Sequence, residues 1–271
     1  MIYLYRLREL YKYVLAGLAI LWVGNVIRYY TSKEYQREKK STNGDERRLN
    51  RFFGEVASSQ NKCIIDLISG RRILEIGCGY GHLISQIMRE LPYAEVSGID
   101  TDSEALDISK KLYGINVKQM SAYKMDFPDG CFETVIMRDA VHHFSDDNLG
   151  TVLREIRRVC SKELIVFDPN VNWIVKFSRK LIGYEDPEAP SNHIVKALES
   201  NGFEVISLGW RDVIALPLSG GFFAMELVPN VKFFKDTVMT LDKVLNIVLS
   251  KLNIQRYFCW RYIIYAIRKD I

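Results

Sequence analysis

Cysteine and histidine are scarce in this sequence of 271 residues, and neither follows a disulfide or metal-binding pattern. The five cysteines include no C-x-x-C pair, their number is odd, and each lies among apolar neighbours. The four histidines show no zinc-binding spacing. This pattern excludes a disulfide scaffold, and it predicts reduced, mostly buried thiols in a cytoplasmic compartment and no structural metal.

Long apolar runs are also absent. No uncharged stretch reaches the ~20 residues that a membrane-spanning helix needs, which excludes a polytopic membrane protein. Hydrophobic residues make up 48% of the chain and charged residues 26%, with 17 glycines and 7 prolines, so neither a disordered nor a collagen-like chain is expected. The composition therefore predicts a globular protein of one large domain or two small ones.

The net charge of +4 is unevenly distributed along the chain. Residues 1–51 carry 11 Lys and Arg against 5 Asp and Glu, residues 231–271 carry 8 against 3, and residues 52–230 carry 18 against 25. An acidic centre is not typical of nucleic-acid enzymes, so no nucleic-acid partner is expected. The acidic centre is compatible with a neutral or cationic substrate that binds there, and the basic ends are compatible with contact to an anionic surface. Solvated surface charge is the alternative explanation.

Residues 1–50 are predicted to form an N-terminal unit, an apolar helix followed by a polar linker. Residues 13–27 are uncharged, but as a helix they span only roughly 22 Å, short of the ~30 Å hydrocarbon core. Aromatic residues cluster toward the ends of this run, as in a membrane-interface belt. Three interpretations stay open: a short or interfacial membrane anchor through residues 1–30, a helix packed on the main domain, or a helix that binds a partner.

Residues 51–271 alternate between short apolar stretches and helical stretches, which is typical of a parallel sheet with crossover helices. The seven predicted strands are residues 72–76, 95–99, 115–119, 133–138, 163–168, 203–208 and 262–267. The predicted helices include residues 51–68, 80–90, 103–112, 147–160 and 191–200. Together they predict a doubly wound, mostly parallel α/β sheet of seven strands.

A helical insertion, about residues 211–258, is predicted before the last strand. Its apolar residues recur at intervals of 4, 3, 4, 3 and 4, which forms one stripe on a helix: Phe234, Val238, Leu241, Leu245, Val248 and Leu252. We expect the stripe to pack on its own domain. Alternatively, the helix forms a lid over an apolar substrate or lies on a membrane surface.

A glycine-rich turn after the first predicted strand carries the strongest chemical signal. Gly77, Gly79 and Gly81 occupy alternate positions, with Cys78 and Tyr80 between them. Glycines let the backbone turn sharply and approach a ligand closely, and free amides at the start of the next helix face a polar or anionic group. The turn is therefore predicted to bind a ligand at the carboxyl edge of the sheet.

The spacing of the glycines disfavours a dinucleotide site, and the position of an acid after the turn favours a ligand that contains a ribose. Dinucleotide folds use G-x-G-x-x-G, whereas here Glu75 precedes three glycines at alternate positions. Asp100 ends the second predicted strand, where an acid about 20 residues after the turn hydrogen-bonds ribose hydroxyls. Alternatively, Asp100 caps the helix that begins near Ser103.

Four motifs resemble those of the class I S-adenosylmethionine-dependent methyltransferases and occur in the same order as in that family, over about residues 50–210. Residues 75–81 match the glycine-rich cofactor motif of that family, and residues 98–100 match its ribose-binding acid. Residues 125–136 resemble the run before its fourth strand, and residues 140–144 resemble its L-H-H segment. The resemblance implies a Rossmann-like methyltransferase fold, S-adenosyl-L-methionine as cofactor, and methyl transfer to a small or lipid-like acceptor.

The resemblance also implies roles for individual residues. The cofactor is expected to contact residues at the ends of the first four strands: Glu75, Gly77, Cys78, Gly79, Tyr80, Gly81, Asp100, Thr101, Ser121, Ala122 and Arg138. The family often has Asp-Ala where this chain has Ser121-Ala122, and serine accepts the adenine hydrogen bond more weakly. His142 and His143 follow the fourth strand, and either one acts as a base or packs against the cofactor.

Two other functions compete with this interpretation. A catalytically inactive subunit that binds the cofactor and serves in an interaction would explain the missing adenine-binding acid. An NAD-type oxidoreductase is disfavoured by the glycine spacing. The acceptor pocket is expected to come from the variable regions, about residues 1–50 and 170–260, which are mostly hydrophobic.

Overall fold

The computed structural model describes residues 52–144, 146–182, 187–221, 227–228 and 231–269. The strands are β1 Arg72–Ile76, β2 Glu95–Asp100, β3 Val117–Gln119, β4 Phe132–Arg138, β5 Cys160–Pro169, β6 Phe203–Arg211 and β7 Arg261–Arg268. The helices are α1 Phe52–Ile65, α2 His82–Glu90, α3 Ser103–Tyr113, α4 Asp146–Val159, α5 Trp173–Ile182, α6 Ser191–Ser200, α7 Ala215–Leu218 and α8 Lys232–Lys251. The predicted N-terminal unit, residues 1–50, lies outside the described residues.

The strands form one seven-stranded sheet in the order β3-β2-β1-β4-β5-β7-β6. The first five strands pair in parallel, whereas β7 runs antiparallel between β5 and β6. The order reverses between β1 and β4, and the crevice at the carboxyl ends of such neighbouring strands is where open α/β sheets bind ligands. The prediction of a doubly wound, mostly parallel seven-stranded sheet is confirmed.

Alternation along the strands gives the sheet two apolar faces. Leu74, Ile76 and Val135 lie in one buried cluster with residues of α4 and α6. Ile73 and Ile136 lie in a second cluster with residues of α1 and α2. Successive strand residues point to opposite faces, so β1 and β4, which are covered on both sides, appear in the sequence as continuous apolar runs.

A buried carboxylate holds the loop before β1 against the sheet. Glu163 accepts hydrogen bonds from the backbone amide and hydroxyl of Ser69, at 2.8 and 2.6 Å, and from the Thr134 hydroxyl at 2.6 Å. The Tyr265 hydroxyl donates a further bond at 3.0 Å. Burial acts to raise the pKa of Glu163, but these donors outweigh it, and the pKa lies below its ordinary value.

The chain divides into two compact units. One comprises Ser58–Val213 and Asp242–Ile271 and contains the whole sheet; the other comprises Met1–Ala57 and Ile214–Leu241. Within the second unit Lys235 forms an ion pair with Glu55. There Gly221 is packed so closely that an added Cβ would lie 2.3 Å from Leu216 Cδ1 and 2.8 Å from Phe53 Cε2. Only glycine fits at that position without a shift of its neighbours.

The predicted insertion contains the long helix α8 and the short helix α7. Five of the six residues of the predicted stripe are exposed: Phe234, Leu241, Leu245, Val248 and Leu252. The expectation that the stripe packs on its own domain is therefore wrong for the described part of the chain. The reason is that polar side chains, Asp242 and Asn246, occupy the inner face of α8. In the described ranges, none of the helices combines the length and apolarity that crossing a bilayer requires.

Candidate functional site

The glycine turn between β1 and α2 has the geometry that the sequence predicts. Gly77, Gly79 and Gly81 have φ angles of 74°, 46° and 76°, in the left-handed region that favours glycine. The backbone amides of Gly77 and Cys78 donate to the Ile99 carbonyl oxygen at 2.9 and 3.1 Å. The turn is thus held against the end of β2.

The three glycines differ in what surrounds them. A Cβ added at Gly81 would lie 2.2 Å from Ile115 Cδ1, and one at Gly77 would lie 2.9 Å from Ala140 Cβ. A Cβ at Gly79 would meet nothing within 4 Å. Two of these glycines are therefore required by packing, whereas Gly79 faces open space at the carboxyl edge of the sheet.

Asp100, at the end of β2, contacts the glycine turn directly. Its Oδ2 accepts a hydrogen bond from the Gly79 amide at 2.8 Å, and its Oδ1 accepts one from the Asp102 amide at 2.9 Å. Asp102 is the residue that caps α3, because its side chain accepts from the amides of Glu104 and Ala105. The alternative role for Asp100 as a helix cap is therefore filled by Asp102.

Three other predicted cofactor residues lie around the turn in different environments. The Cys78 side chain is buried in a cluster with Ile84, and burial raises the pKa of its thiol. Tyr80 is half-buried, and its ring centroid lies 6.2 Å from that of His82. Thr101 is exposed, and its carbonyl accepts from the Gln119 side chain at 3.1 Å.

Ser121 and Ala122, after β3, lie next to the end of β2. The Met120 amide donates to the Asp100 carbonyl at 2.9 Å, which holds this segment beside the second strand. Ser121 Oγ accepts from the Tyr123 amide at 3.3 Å, and Ala122 is buried. The structure therefore brings the predicted ribose and adenine segments together.

Glu75 is a buried acid at the start of the turn. It is 3% exposed, and its Oε2 has no hydrogen-bond partner among the described residues. Burial raises the pKa of Glu75 to about 8, opposed by the charge of Arg138 and by the Ile84 amide and reinforced by Asp100. Burial therefore favours the protonated form of Glu75 in the cofactor-free fold.

Arg138, at the end of β4, is held by two helix residues that sequence reasoning missed. Its guanidinium donates to the Asn61 side-chain oxygen and to Gln60 Oε1 at 3.2 Å. Asn61 in turn donates to Gln86 at 2.9 Å. Gln60 and Asn61 are buried on the face of α1 that also carries Ile64, so polar residues at apolar positions were the available signal.

Further ionic groups lie at the same edge, of which sequence reasoning missed Arg261 and Asp212. Arg261 opens β7 and forms an ion pair with Asp139, which follows β4 and has a φ of 51°. Burial acts to raise the pKa of Asp139, but Arg261 and Arg138 outweigh it and hold the pKa below its ordinary value. Asp212, after β6, accepts from Gln60 at 2.7 Å, and burial raises its pKa to about 6.

His142 and His143 differ sharply in their surroundings. His142 is buried, and its Nδ1 lies 3.0 Å from both carboxylate oxygens of Asp168, at the end of β5. Burial raises the pKa of Asp168 to about 6, against the opposing effect of the hydrogen bond with His142. His143 is exposed, and its ring centroid lies 4.1 Å from that of His142. Asp168 was not among the predicted site residues.

These features fit the cofactor that the motifs imply. Open space lies beside Gly79, and an acid lies at the end of β2. Two buried polar atoms at the neighbouring strand ends, Glu75 Oε2 and Arg138 Nε, have no hydrogen-bond partner in the part of the chain that the structure describes. Such atoms are rare in folded proteins, and a polar ligand would satisfy them.

Known proteins share the same motifs. Residues 73–163 match the methyltransferase domain family. The malonyl-[acyl-carrier protein] O-methyltransferase of Legionella pneumophila is 33% identical over 96 residues, which is 34% of this chain and 33% of that protein. The fatty-acid O-methyltransferase of Mycolicibacterium smegmatis is 28% identical over 95 residues, 34% of each. The chain thus spans about a third of the length of each of these two curated relatives.

The fold is also found among solved structures. The S-adenosylmethionine-dependent methyltransferase of Archaeoglobus fulgidus superposes with a TM-score of 0.58 at 17% identity, covering 79% of this chain and 94% of that one. At this identity the superposition establishes the fold, and the matched family covers the strands that carry the motifs. The chain therefore contains a class I S-adenosylmethionine-dependent methyltransferase domain, whose cofactor is S-adenosylmethionine.

Proposed function

We propose that this protein transfers a methyl group from S-adenosylmethionine to a small or lipid-like acceptor. One observation carries the proposal: the Asp100 carboxylate lies 2.8 Å from the Gly79 amide, beside open space at the carboxyl edge of the sheet. The relatives named for a fatty acid and for malonyl-[acyl-carrier protein] support a lipid-like acceptor.

Different residues of the site would bind different parts of the cofactor. Asp100 would hold the ribose, with Ser121 and Ala122 near the adenine. Glu75 and Arg138, each with a buried polar atom that makes no hydrogen bond among the described residues, would hold the charged amino-acid end. The bound cofactor supplies a methyl group already activated as a sulfonium, so the protein mainly aligns the reactants and excludes water.

His142 is assigned as the base when the acceptor is a hydroxyl or a protonated amine. Asp168 accepts the Nδ1 proton of His142, so Nε2 is the nitrogen that receives the proton of the acceptor. The carboxylate also stabilises the imidazolium that forms in this buried position. Asp168 is therefore a positioning residue, and the exposed His143 is the second candidate for the base.

Three substitutions test this assignment. His142→Gln should lower kcat by about 10²–10⁴-fold with little loss of cofactor affinity, and the matched change His143→Gln should cost far less. Asp168→Asn removes the carboxylate that favours the imidazolium, so the acidic limb of the kcat profile should move to lower pH. Equal losses of rate and cofactor affinity in His142→Gln would place this residue in the cofactor pocket instead. An unshifted limb in Asp168→Asn would make that acid purely structural.

The activity itself is tested with S-adenosylmethionine that carries a labelled methyl group. The full chain is incubated with membrane-lipid and soluble-metabolite extracts, and mass spectrometry identifies the labelled product. Gly79→Val is the control that lacks a cofactor site. Label in a lipid or small molecule supports the proposal. Tight cofactor binding without turnover would instead indicate a catalytically inactive interaction subunit.

We also propose that the protein is cytoplasmic and is attached to an anionic membrane surface through residues 1–30. The uncharged run at residues 13–27 and the basic excess of residues 1–51 support it. Deletion of residues 1–30 should then release the protein from membranes into the soluble fraction. If the intact chain stays soluble with anionic liposomes at low salt and the deletion unfolds the domain, a soluble acceptor is the better assignment.

A further inference from the structure

Helix α8 turns polar side chains toward the protein. Within the unit that contains the sheet, Asp242 is 8% exposed and accepts a hydrogen bond from the Val213 amide at 2.9 Å. Asn246, one turn later, donates to the Trp210 carbonyl at 3.1 Å and accepts from the Gln255 side chain at 2.5 Å. These hydrogen bonds fix which face of this part of α8 is turned inward.

The opposite face of this part of α8 is apolar and exposed. Val244, Ile247 and Val248 lie on the side of the helix away from Asp242, given 3.6 residues per turn. They are 50%, 56% and 46% exposed, and Leu252, just after the helix, is also exposed. An ordinary surface helix has the reverse arrangement, with its apolar face inward and its polar face in water.

Helix α5 adds two exposed aromatic side chains, and its start is joined to the segment that follows α8. The Asn172 side chain donates to the Cys259 carbonyl at 2.7 Å, which ties the start of α5 to the segment that follows α8. Trp173 and Phe177 are one turn apart on α5 and are 63% and 65% exposed. We call the set Trp173, Phe177, Val244, Ile247, Val248 and Leu252 the outer patch.

Basic residues accompany the outer patch. Lys243 and Lys251 on α8, Arg256 in the turn after it, and Lys180 on α5 are all exposed, whereas the acid of this part of α8, Asp242, is buried. A second copy across a two-fold axis would bring like charges together. Residues 1–51, with 11 basic against 5 acidic residues, also complement this charge poorly. Anionic lipid attracts such cations, and its acyl boundary accepts apolar side chains.

We propose that the outer patch is a membrane-binding surface that docks on a bilayer containing anionic lipid. Trp173, Phe177 and the aliphatic residues of α8 enter the headgroup boundary, and Lys243, Lys251 and Arg256 contact lipid phosphates. The biological purpose of this docking rests on the proposed function, because a membrane-bound enzyme would meet a lipid-like acceptor there. Vesicle binding is measured without cofactor or acceptor, so its failure would leave methyl transfer standing.

The first experiment measures sedimentation of the full chain with vesicles of phosphatidylcholine and phosphatidylglycerol, in a ratio of about 3:1. The combined change Val244→Gln, Ile247→Gln and Val248→Gln should lower the partition coefficient by about tenfold or more. Met88→Gln with Leu112→Gln, which alters exposed apolar residues on α2 and α3, should leave it unchanged.

The second experiment tests the charge. Lys243→Glu with Lys251→Glu should lower the partition coefficient on the same vesicles by about tenfold or more. It should have little effect on vesicles of phosphatidylcholine alone. Lys111→Glu with Lys196→Glu, the same charge change at exposed positions on α3 and α6, is the control. Equal effects of the two pairs would mean that net charge alone causes the attraction, which would overturn the assignment of the patch.

A third experiment locates the contact with a conservative substitution. Of the four tryptophans, Trp173 lies in the patch and Trp22 in the segment before the described residues. Lipids brominated on their acyl chains should quench the fluorescence of the wild type and of Trp22→Phe, and most of this quenching should disappear in Trp173→Phe. Quenching that survives Trp173→Phe but is lost in Trp22→Phe would overturn the proposal. So would a lipid-independent dimer abolished by the α8 changes, or vesicle binding that appears only after deletion of residues 1–50.

Discussion

Replacing Glu75 by Gln should make the cofactor-free protein less sensitive to pH. Glu75 is buried at the end of β1, and one of its carboxylate oxygens has no hydrogen-bond partner among the described residues. Burial raises its pKa from 4.5 to about 8. The glutamine side chain resembles the protonated acid in shape and polarity but does not ionise. The substitution therefore removes the titration while it keeps the packing.

The sign of the effect follows from the direction of the pKa shift. The folded protein retains a proton on Glu75 that the unfolded chain loses, so the free energy of unfolding falls as pH rises from about 4.5 to about 8. Each pH unit within that window corresponds to roughly 1.4 kcal/mol. Between pH 5 and pH 8, Glu75→Gln should gain roughly 4 kcal/mol of stability relative to the wild type.

Urea unfolding of both proteins at several pH values between about 5 and 8 measures this difference. Glu163→Gln is a matched control, because Glu163 is equally inaccessible but accepts hydrogen bonds from Ser69, Thr134 and Tyr265. Those donors hold the pKa of Glu163 below its ordinary value. Its stabilising contribution is present above the unfolded pKa and is lost as pH falls through the folded pKa, so this variant should lose stability at neutral pH.

Parallel pH curves for the wild type and Glu75→Gln would refute the reasoning. They would mean that Glu75 ionises normally in the fold, because the positive charge of Arg138 compensates the loss of hydration. Glu75 would then face the cofactor as a carboxylate rather than as a neutral acid. A difference that grows with pH in the predicted direction establishes that the acid is held neutral before the cofactor binds.

Two further predictions concern the cofactor site, and calorimetry with S-adenosylhomocysteine and thermal unfolding test both. Gly79→Val should abolish binding because the new side chain fills open space, and the positive φ of this residue should cost only about 1–2 kcal/mol of stability, so the domain stays folded. Gly98→Ala should instead destabilise the fold by about 1–3 kcal/mol and serves as the comparison for lost stability, since its Cβ would lie 2.5 Å from Ile84 Cδ1. Asp100→Ala should weaken binding by roughly 1.5–3 kcal/mol, whereas Asp102→Ala should affect the capping of α3 and leave affinity nearly unchanged. Equal losses of affinity from both aspartate changes would show that Asp100 is not the ribose ligand.

The sequence alone predicted the parts of the site that are marked by local patterns of strands and turns. The glycine turn, with Glu75 before it and Asp100 at the end of the next strand, was found because strands, turns and glycine positions leave local patterns. The seven strands were predicted to within a few residues for the same reason. The roles of the individual residues in binding and catalysis stay predictions.

Only the tertiary structure joined residues that are distant along the chain. Asp168 lies near the end of β5 and reaches His142 because β4 and β5 are neighbours in the sheet, and Arg261 reaches Asp139 because β7 runs antiparallel. Sequence periodicity gives the faces of a strand or helix, but not its neighbours.

Helix α8 shows the limit of a hydrophobic pattern most directly. Its apolar stripe predicted an amphipathic helix, and the helix is present. The pattern favoured the wrong face for burial, because Asp242 accepts a hydrogen bond from the distant Val213 amide and Asn246 donates one to the distant Trp210 carbonyl, and these bonds fix the inward face. A periodic stripe determines that a helix has two faces, whereas the long-range contacts of its polar residues determine which face is turned to the protein.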